Sequence, residues 1–344
     1  MKPRDLSLLV MHVSSRCDQT CAHCSIWKGN GLAHQELGRS DREALIREAH
    51  SLGARSILFT GGEPLLCDHI EPLGRLAHDL GFLVQIATNG LGLARATPWL
   101  VHYVDEAYVS LEGPASVHDD VRGRGMFARL ATAVAAVAGQ ARRPRLVARS
   151  VISSRNAACL DETAAAARDL GFDALSFLPL DTTSEAFGGD PAPRLGLKLE
   201  ADDQVGLERA IERLRDSGAL GQFVLEDDAK LRSFATFLAQ DPSDRHAPRC
   251  NAPEWSSVVE ADGGLRPCFF QPLASTVRGG SLRDARQGES YRAALGGLGE
   301  GNKACASCVC PKHLPSGASA IASRLSALLR SVRSGSAPLT RSPA

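Results

Sequence analysis

Short apolar and β-branched runs alternate with longer amphipathic stretches from residue 6 to about residue 180. Each run ends in glycine or small polar residues, and a stretch of helical periodicity follows it. The pattern predicts six strands, at residues 6–15, 55–62, 82–90, 106–113, 145–154 and 174–181. Residues 42–53 are typical of the helices between them: Leu45, Ala49 and Leu52 share one face, and Gly53 ends the helix.

Six successive strand–helix units with nearly continuous apolar strands indicate an α/β fold, a parallel sheet covered by helices. In barrel-like folds of this kind, the chemistry gathers on loops at the carboxyl edge of the strands. The polar and glycine-rich motifs of this chain fall at the predicted strand ends. We therefore expect the functional site at that edge.

Changes in composition divide the chain into four predicted regions. The barrel is expected at residues 1–200, and its last part, 182–200, is rich in Gly, Pro and small polar residues and predicts a boundary or a lid loop. A helical connector is expected at 201–249, with a helix at 203–217. A cysteine-rich domain at 250–315 and an amphipathic helix with a Ser/Pro-rich tail at 316–344 follow.

The C-terminal helix carries apolar residues at helical spacing: Ile321, Leu325, Leu328 and Val332. Such a stripe is the ordinary signature of a helix that packs on its own domain. The alternative is a helix that lies on a membrane surface through its arginines.

Composition and charge exclude several functional classes. Apolar residues make up 44% of the 344 residues and charged residues 23%, as in globular proteins. Lys+Arg and Asp+Glu balance at 39 each, so no nucleic-acid partner is expected. No apolar run reaches the roughly 18 residues of a membrane span, and no signal-peptide pattern opens the chain. We expect a cytoplasmic protein.

Eight of the ten cysteines fall into two clusters, three within residues 17–24 and five within 250–310. In a reducing compartment, such short spacings favour metal or cluster ligation over disulfides. Cys17, Cys21 and Cys24 could wrap one face of an iron–sulfur cube and leave one iron without a protein ligand. The alternatives are a zinc ion completed by His23, which would have to ligate from a position adjacent to Cys24, and free thiols.

The spacing Cys-x3-Cys-x2-Cys after a first strand resembles the cluster motif of the radical S-adenosylmethionine (radical SAM) enzymes. Motifs at the later strand ends resemble the same family, in the same order along residues 6–181. They are GGEP (61–64), ATNG (87–90), SLEGPASVHDDVRGRGMF (110–127), VISSRN (151–156) and FLPLD (177–181).

The resemblance implies a partial (β/α)6 TIM-like barrel with a [4Fe–4S] cluster on Cys17, Cys21 and Cys24. In that family, the amino and carboxylate groups of S-adenosylmethionine (SAM) chelate the fourth iron. An electron from the cluster cleaves SAM, and the resulting 5′-deoxyadenosyl radical abstracts hydrogen from the substrate. The resemblance also implies an electron donor such as flavodoxin or ferredoxin.

The GGEP motif, which is Gly61, Gly62, Glu63 and Pro64, is expected to bind the ammonium group of SAM. Adjacent glycines let backbone carbonyls come close to the cation, and Glu63 adds a charge of the right sign. The alternative is a plain strand-to-helix turn.

Further residues match SAM-facing positions of the family. Ser110 and Arg122 are expected near the ribose and the carboxylate, although Arg122 could also be a surface or supporting arginine. His23 matches a position that the family fills with an aromatic residue near the adenine. Glu112 stands where the family usually has Asp, and Trp27 shields the cluster or only packs.

The second cysteine set is Cys250, Cys268, Cys305 and Cys308, with a predicted hairpin turn at 262–264 between the first two. Its pattern resembles twitch, a shortened form of the SPASM domain that follows many radical SAM barrels. The resemblance implies a second, auxiliary [4Fe–4S] cluster closed by four thiolates. A zinc ribbon is the alternative. Cys310 is spare, replaces Cys308, or belongs to an atypical site.

We therefore expect a radical SAM oxidoreductase that acts on a natural-product intermediate or a peptide. The auxiliary cluster would take an electron from the substrate radical, or would bind and orient the substrate. The alternatives are a ribosomal-peptide maturase that works with a separate recognition protein, and a non-catalytic zinc-binding interaction protein.

Overall fold

The computed structural model describes residues 5–184, 186–189, 192–241 and 250–299, together with Asn302, Cys305 and Cys308. The predicted C-terminal helix and Cys310 lie outside the described residues.

All six predicted strands are present, each slightly shorter than predicted. They are β1 (Leu8–Ser14), β2 (Ser56–Gly61), β3 (Leu83–Thr88), β4 (Glu106–Ser110), β5 (Arg145–Ile152) and β6 (Ala174–Pro179). The helices between them are α1 (Arg39–Ser51), α2 (Ile70–Asp79), α3 (Leu93–Tyr103), α4 (Ala115–Arg122), α5 (Met126–Ala138) and α6 (Leu160–Asp169). Short 3₁₀ helices lie at Ile26–Gln35, Pro64–Leu66 and Ala157–Cys159.

The second part of the chain is built from short elements. Its helices are α7 (Ala192–Leu195), α8 (Ala201–Asp216), α9 (Asp228–Ala239), α10 (Ala252–Trp255), α11 (Leu282–Gln287) and α12 (Glu289–Gly296). Its strands are β7 (Ser256–Val259), β8 (Gly264–Arg266) and β9 (Ser275–Thr276). In the described ranges, no helix combines the length and the apolar character that a membrane crossing requires.

The strands form one open sheet in the order β6-β5-β4-β3-β2-β1-β7-β8-β9. All neighbours from β6 to β1 pair in parallel, with Leu9 opposite Ile57 at the β1–β2 step. The predicted α/β class and the open, TIM-like arrangement of six parallel strands with helices are confirmed. Because parallel strands share one carboxyl edge, all the strand-end motifs meet there.

The two faces of the sheet differ in character. On one face, side chains such as Met11, Phe59 and Ile86 are fully buried and belong to the core that the helices cover. The other face, which we call the interior face, carries the alternate residues of each strand. Polar side chains occur there, including His12 and Tyr108, and they are only partly buried. The interior face is therefore the surface open to ligands.

The cysteine-rich segment continues the barrel's own sheet. Strand β7 pairs in parallel with the outer edge of β1, with Leu9 opposite Ser257. Strand β8 returns antiparallel to β7 through the predicted turn, where Gly263 has a φ of 96° that favours glycine. This hairpin places the second cysteine set beside the first strand of the barrel.

Glu48 on α1 ties this later segment to the barrel. Its carboxylate accepts hydrogen bonds from the backbone N–H groups of Leu282 (2.7 Å) and Arg283 (3.0 Å) at the start of α11. Glu48→Ala is expected to lower the free energy of unfolding by about 1–2 kcal/mol, because a charged acceptor at a helix N-terminus is lost. Urea unfolding measures this loss.

Glu43→Ala is the matched control on the same helix. Glu43 pairs only with Arg39, one turn away at 2.6 Å. Such a pair within one exposed helix turn contributes about 0.3–0.5 kcal/mol. Equal losses in the two variants would contradict the capping role of Glu48.

Candidate active site

The GGEP motif grips the backbone at the end of β1, where the cysteine loop begins. Both glycines lie against the backbone of the β1 end. A Cβ on Gly62 would lie 2.2 Å from the carbonyl oxygen of Arg16, and a Cβ on Gly61 would lie 2.3 Å from the carbonyl oxygen of Ser14. The N–H of Gly62 donates to Ser14 (2.8 Å) and that of Glu63 to Arg16 (2.7 Å). Only glycine allows this approach, so the motif fixes where the cysteine loop starts.

The Glu63 side chain is turned toward the neighbouring strand end. It is 1% exposed and accepts hydrogen bonds from the Thr88 hydroxyl (2.7 Å), the Asn89 N–H (2.7 Å) and the Leu65 N–H (2.9 Å). Burial raises the pKa of Glu63 to about 7 against the effect of these donors. Glu63 thus joins the ends of β2 and β3, and Pro64 opens the short helix that follows.

Asn89 extends this connection to the cysteine loop. Its side-chain amide donates to the Asp18 carboxylate at 2.7 Å, while its oxygen accepts from the Leu91 N–H at 2.9 Å. The residue after Cys17 is therefore held by the end of β3.

Arg122 holds the cysteine loop from the opposite side. Its guanidinium donates to Glu112 Oε1 through Nε (2.8 Å) and NH2 (2.6 Å), and its NH1 donates to Gln19 (3.0 Å) and lies 3.6 Å from the Cys21 sulfur. Burial opposes ionisation of Glu112, but the Arg122 charge holds its pKa below the ordinary value. Arg122 is thus buried and bound to both Glu112 and the cysteine loop.

His23 lies beside this pair. Its Nε2 is 4.0 Å from Glu112 Oε1, and burial lowers the pKa of His23 to about 4. Ser110, at the end of β4, makes one long hydrogen bond of 3.4 Å to the Thr88 carbonyl and stands on the interior face. Both side chains lie at the carboxyl edge of the sheet.

The loop after β6 closes over the cysteine loop. The Phe187 carbonyl accepts from the Ser25 N–H at 2.8 Å and lies 3.8 Å from the Cys24 sulfur. Phe187 has a φ of 61°, which is uncommon for a residue other than glycine. Trp27 donates to the Cys24 carbonyl at 2.9 Å, so it packs against the loop. The segment predicted as a boundary or lid thus touches the site.

Of the three cysteines in this loop, Cys21 is buried and Cys17 and Cys24 are partly buried. Burial raises the pKa of Cys17 to about 12 and raises those of Cys21 and Cys24 as well. Within the described ranges, no three His, Cys, Asp or Glu side chains form a group that could hold one metal ion. A single zinc ion needs all its ligands about 2.0–2.3 Å away, whereas a four-iron cluster offers each thiolate a different iron. The donor set suits the cluster better than zinc with His23.

The second cysteine set is brought together in space. Cys250, Cys268, Cys305 and Cys308 all line one pocket of about 390 Å³, open mouth included, with Phe270. Pro253 on α10 and Leu298, two residues after α12, add apolar side chains to the wall. Two donors point at Cys305: the Gly299 N–H at 3.4 Å and the Gln271 amide at 3.8 Å. These four soft ligands in one apolar pocket are a donor set that suits an iron–sulfur cluster.

Two contacts join the cysteine sites. The Phe269 ring, next to Cys268 in sequence, packs on Phe187 with ring centroids 5.1 Å apart. His12 on β1 bonds to Glu260 at 2.8 Å, and Glu260 also pairs with Arg266 at 2.5 Å. Burial opposes ionisation of Glu260, but these partners hold its pKa at about 2. The hairpin is thus fastened to the barrel next to both cysteine sets.

Several supporting residues were not predicted from the sequence. No sequence pattern indicated a role for Gln19 or Asn30. In the structure, Asn30 exchanges hydrogen bonds of 2.8 and 3.0 Å with the backbone of Cys17. The nine described cysteines are all free. Cys67 is buried and accepts a contact from Arg42 at 3.1 Å, whereas Cys159 is partly exposed.

The family model of the radical SAM superfamily matches residues 11–165, which include the cysteine loop and the GGEP motif. This segment of the chain, residues 11–165, is a radical SAM domain. Proteins similar to this chain include ones named GTP 3′,8-cyclase and AdoMet-dependent heme synthase.

Similarity to individual relatives is partial. The Fe-coproporphyrin III synthase of Methanosarcina barkeri is 32% identical over 123 residues, 35% of this chain and 31% of that protein. The chain therefore spans about a third of that relative's length. The GTP 3′,8-cyclase of Pelotomaculum thermopropionicum is 26% identical over 278 residues, 78% of this chain and 82% of that protein.

Two solved structures share the fold. Streptococcus suis SuiB bound to the precursor peptide SuiA has a TM-score of 0.64 and 16% identity, over 89% of this chain and 71% of SuiB. The anSMEcpe protein with bound AdoMet has a TM-score of 0.62 and 19% identity, over 84% of this chain and 82% of anSMEcpe.

Gly62→Ala tests the role of the GGEP backbone. The added methyl group would overlap the Arg16 carbonyl, so we expect a loss of about 1–3 kcal/mol in unfolding free energy together with weaker SAM binding. Urea unfolding and equilibrium dialysis with labelled SAM measure the two effects. Gly31→Ala is the control, because nothing lies within 4 Å of the Cβ position there. Wild-type behaviour of Gly62→Ala would refute the close-approach argument.

Arg122→Gln tests the buried ion pair. It leaves the Glu112 carboxylate buried without its partner, and we expect a loss of about 3–5 kcal/mol in unfolding free energy. Adding Glu112→Gln should recover part of that loss, since the unpaired charge is then gone. Arg124→Gln, at an exposed position two residues away, should change the free energy by no more than about 0.5 kcal/mol. A loss that Glu112→Gln only deepens would count against this pairing.

Proposed function

We propose that this enzyme is an oxidoreductase with two iron–sulfur clusters, one that activates SAM and one auxiliary. The observation that supports the proposal is the presence of a loop with three buried or partly buried thiols and of a separate pocket lined by four cysteines. Three thiolates leave one iron of a cube open, whereas four close it. The two sets therefore suit different tasks.

Cys17, Cys21 and Cys24 would hold the first cluster, which would supply the electron for reductive cleavage of bound SAM and so for removal of hydrogen from the substrate. The chain's own residues prepare this site. The GGEP backbone fixes the start of the cysteine loop and Arg122 its middle at Gln19, and Phe187 and Trp27 cover the end of the loop. Covering the loop keeps water away from a reactive radical.

The SAM contacts are part of the proposal. Ser110 and His23 lie at the carboxyl edge of the sheet, where we place the ribose and the adenine. The GGEP backbone lies next to the cysteine loop, where we place the ammonium group. Arg122 makes four contacts with the protein, so we assign it to positioning the cysteine loop and the Glu112 carboxylate.

For Cys250, Cys268, Cys305 and Cys308 we propose the auxiliary [4Fe–4S] cluster. Their common pocket and the donors aimed at Cys305 support this assignment, since hydrogen bonds to thiolates tune such clusters. The cluster would accept an electron from the substrate radical or hold the substrate. We propose a natural-product intermediate or a peptide as the substrate and a flavodoxin or ferredoxin as the electron donor.

Iron content and SAM cleavage test the two cysteine sets separately. Anaerobically reconstituted protein is expected to be brown and to hold about eight iron atoms per chain, and about four after Cys250→Ala with Cys268→Ala. Replacing Cys17, Cys21 and Cys24 by Ala should abolish dithionite-driven formation of 5′-deoxyadenosine. Cys159→Ala is the control and should keep both properties. Colourless protein that contains zinc would overturn the proposal.

A further inference from the structure

Arg149 stands on the interior face of the barrel, one strand away from Ser110. Strand pairing places Ser110, Arg149 and Ser176 opposite one another on β4, β5 and β6. Residues opposite each other in a parallel sheet point to the same face, so Arg149 shares the interior with Ser110. The side chain is partly buried.

The guanidinium of Arg149 is held by stacking and leaves its donors free. Its central carbon lies 4.5 Å from the centre of the Tyr108 ring. Tyr108 is fixed in turn, because its hydroxyl donates to Glu106 at 2.6 Å. Stacking on an aromatic face orients an arginine and leaves the edge with its N–H groups open to a partner.

No acceptor of the described protein meets these donors. Nε of Arg149 is buried without a hydrogen-bond partner. The carboxylate of Glu226 is nearby, but its oxygens accept from the Ser176 hydroxyl (2.8 Å) and the Phe177 N–H (2.9 Å). A buried donor without an acceptor is costly and is a feature of binding sites.

Arg145 on the same strand shows the ordinary alternative. Arg145 precedes Arg149 by four residues, so its side chain also lies on the interior face. Its NH1 pairs with the Glu106 carboxylate at 3.1 Å. The barrel thus neutralises one interior arginine by direct contact and leaves the other available.

We propose that Arg149 binds an oxyanion of the substrate, a carboxylate or a phosphate group. Two terminal N–H donors on a planar guanidinium match two oxygens of either group. The inference rests on the proposed function, because Ser110 next to it borders the proposed SAM site. An anionic group held by Arg149 would anchor the substrate beside the source of the radical.

Chemical modification of the wild-type holoenzyme tests this directly. Phenylglyoxal labels accessible, unpaired arginines, and peptide mass spectrometry follows each arginine separately. Inorganic phosphate and acetate serve as the probes, with sodium chloride at the same ionic strength as the reference. With a probe at about ten times its dissociation constant, labelling of Arg149 should slow about tenfold. The comparison of protection by phosphate with protection by acetate shows whether Arg149 binds a phosphate group or a carboxylate. Arg145 is the internal control, and its labelling rate should not change with either probe.

A second measurement uses variants. At constant ionic strength, the more effective probe should raise the thermal unfolding midpoint of the wild type and of Arg145→Gln more than that of Arg149→Gln. The comparison is needed because phosphate stabilises proteins generally.

Three results would overturn the proposal: an Arg149 that phenylglyoxal does not label, labelling that neither probe slows, or complete protection by SAM alone. The last would assign Arg149 to the cofactor's carboxylate. Formation of 5′-deoxyadenosine by the wild type without substrate reports separately on the proposed function. Protection without SAM cleavage would sink the proposed function, and SAM cleavage without protection would sink the role of Arg149.

Discussion

Two carboxylates buried at the carboxyl edge of the sheet, those of Glu63 and Glu112, hold the cysteine loop in place. A buried carboxylate is costly unless donors surround it, so each one gathers the neighbouring loops. Glu63 draws the ends of β2 and β3 together, and Asn89 carries that link to Asp18. Glu112 accepts from Arg122 and from the Val151 N–H at 3.0 Å, and Arg122 reaches the loop. The loop is thereby fixed at two points by residues far away in sequence.

The same edge connects the two cysteine sets. Because β7 pairs with β1, the pocket of Cys250 and Cys268 is attached to the strand from which the first cysteine loop departs. Two further contacts, Phe187–Phe269 and His12–Glu260, hold the second cysteine segment against the barrel. An auxiliary cluster in that pocket, as proposed, would stand in a rigid relation to the first site, which electron transfer or substrate binding between them requires.

The features predicted correctly are those whose signature lies within a short stretch of the sequence. The apolar strands, the helices and the Gly263 turn were found because each has its own period or residue signature. The cysteines and GGEP were found from their spacing and order. Features that depend on partners distant in the chain were not predicted. They are the pairing of β7 with β1, the Phe187 carbonyl near the Cys24 sulfur, and the stacked Arg149 guanidinium without a hydrogen-bond partner at Nε. The roles of Gln19 and Asn30 were missed for the same reason: an amide near a cysteine carries no signal until the fold supplies its partner.

The central claim is that the first cysteine set leaves one iron open and the second set leaves none. Electron paramagnetic resonance of the dithionite-reduced, reconstituted enzyme, recorded with and without SAM, tests it most directly. We expect signals of two reduced clusters, of which one changes when SAM is added and the other does not. Signals that both change, or that both stay the same, would contradict it.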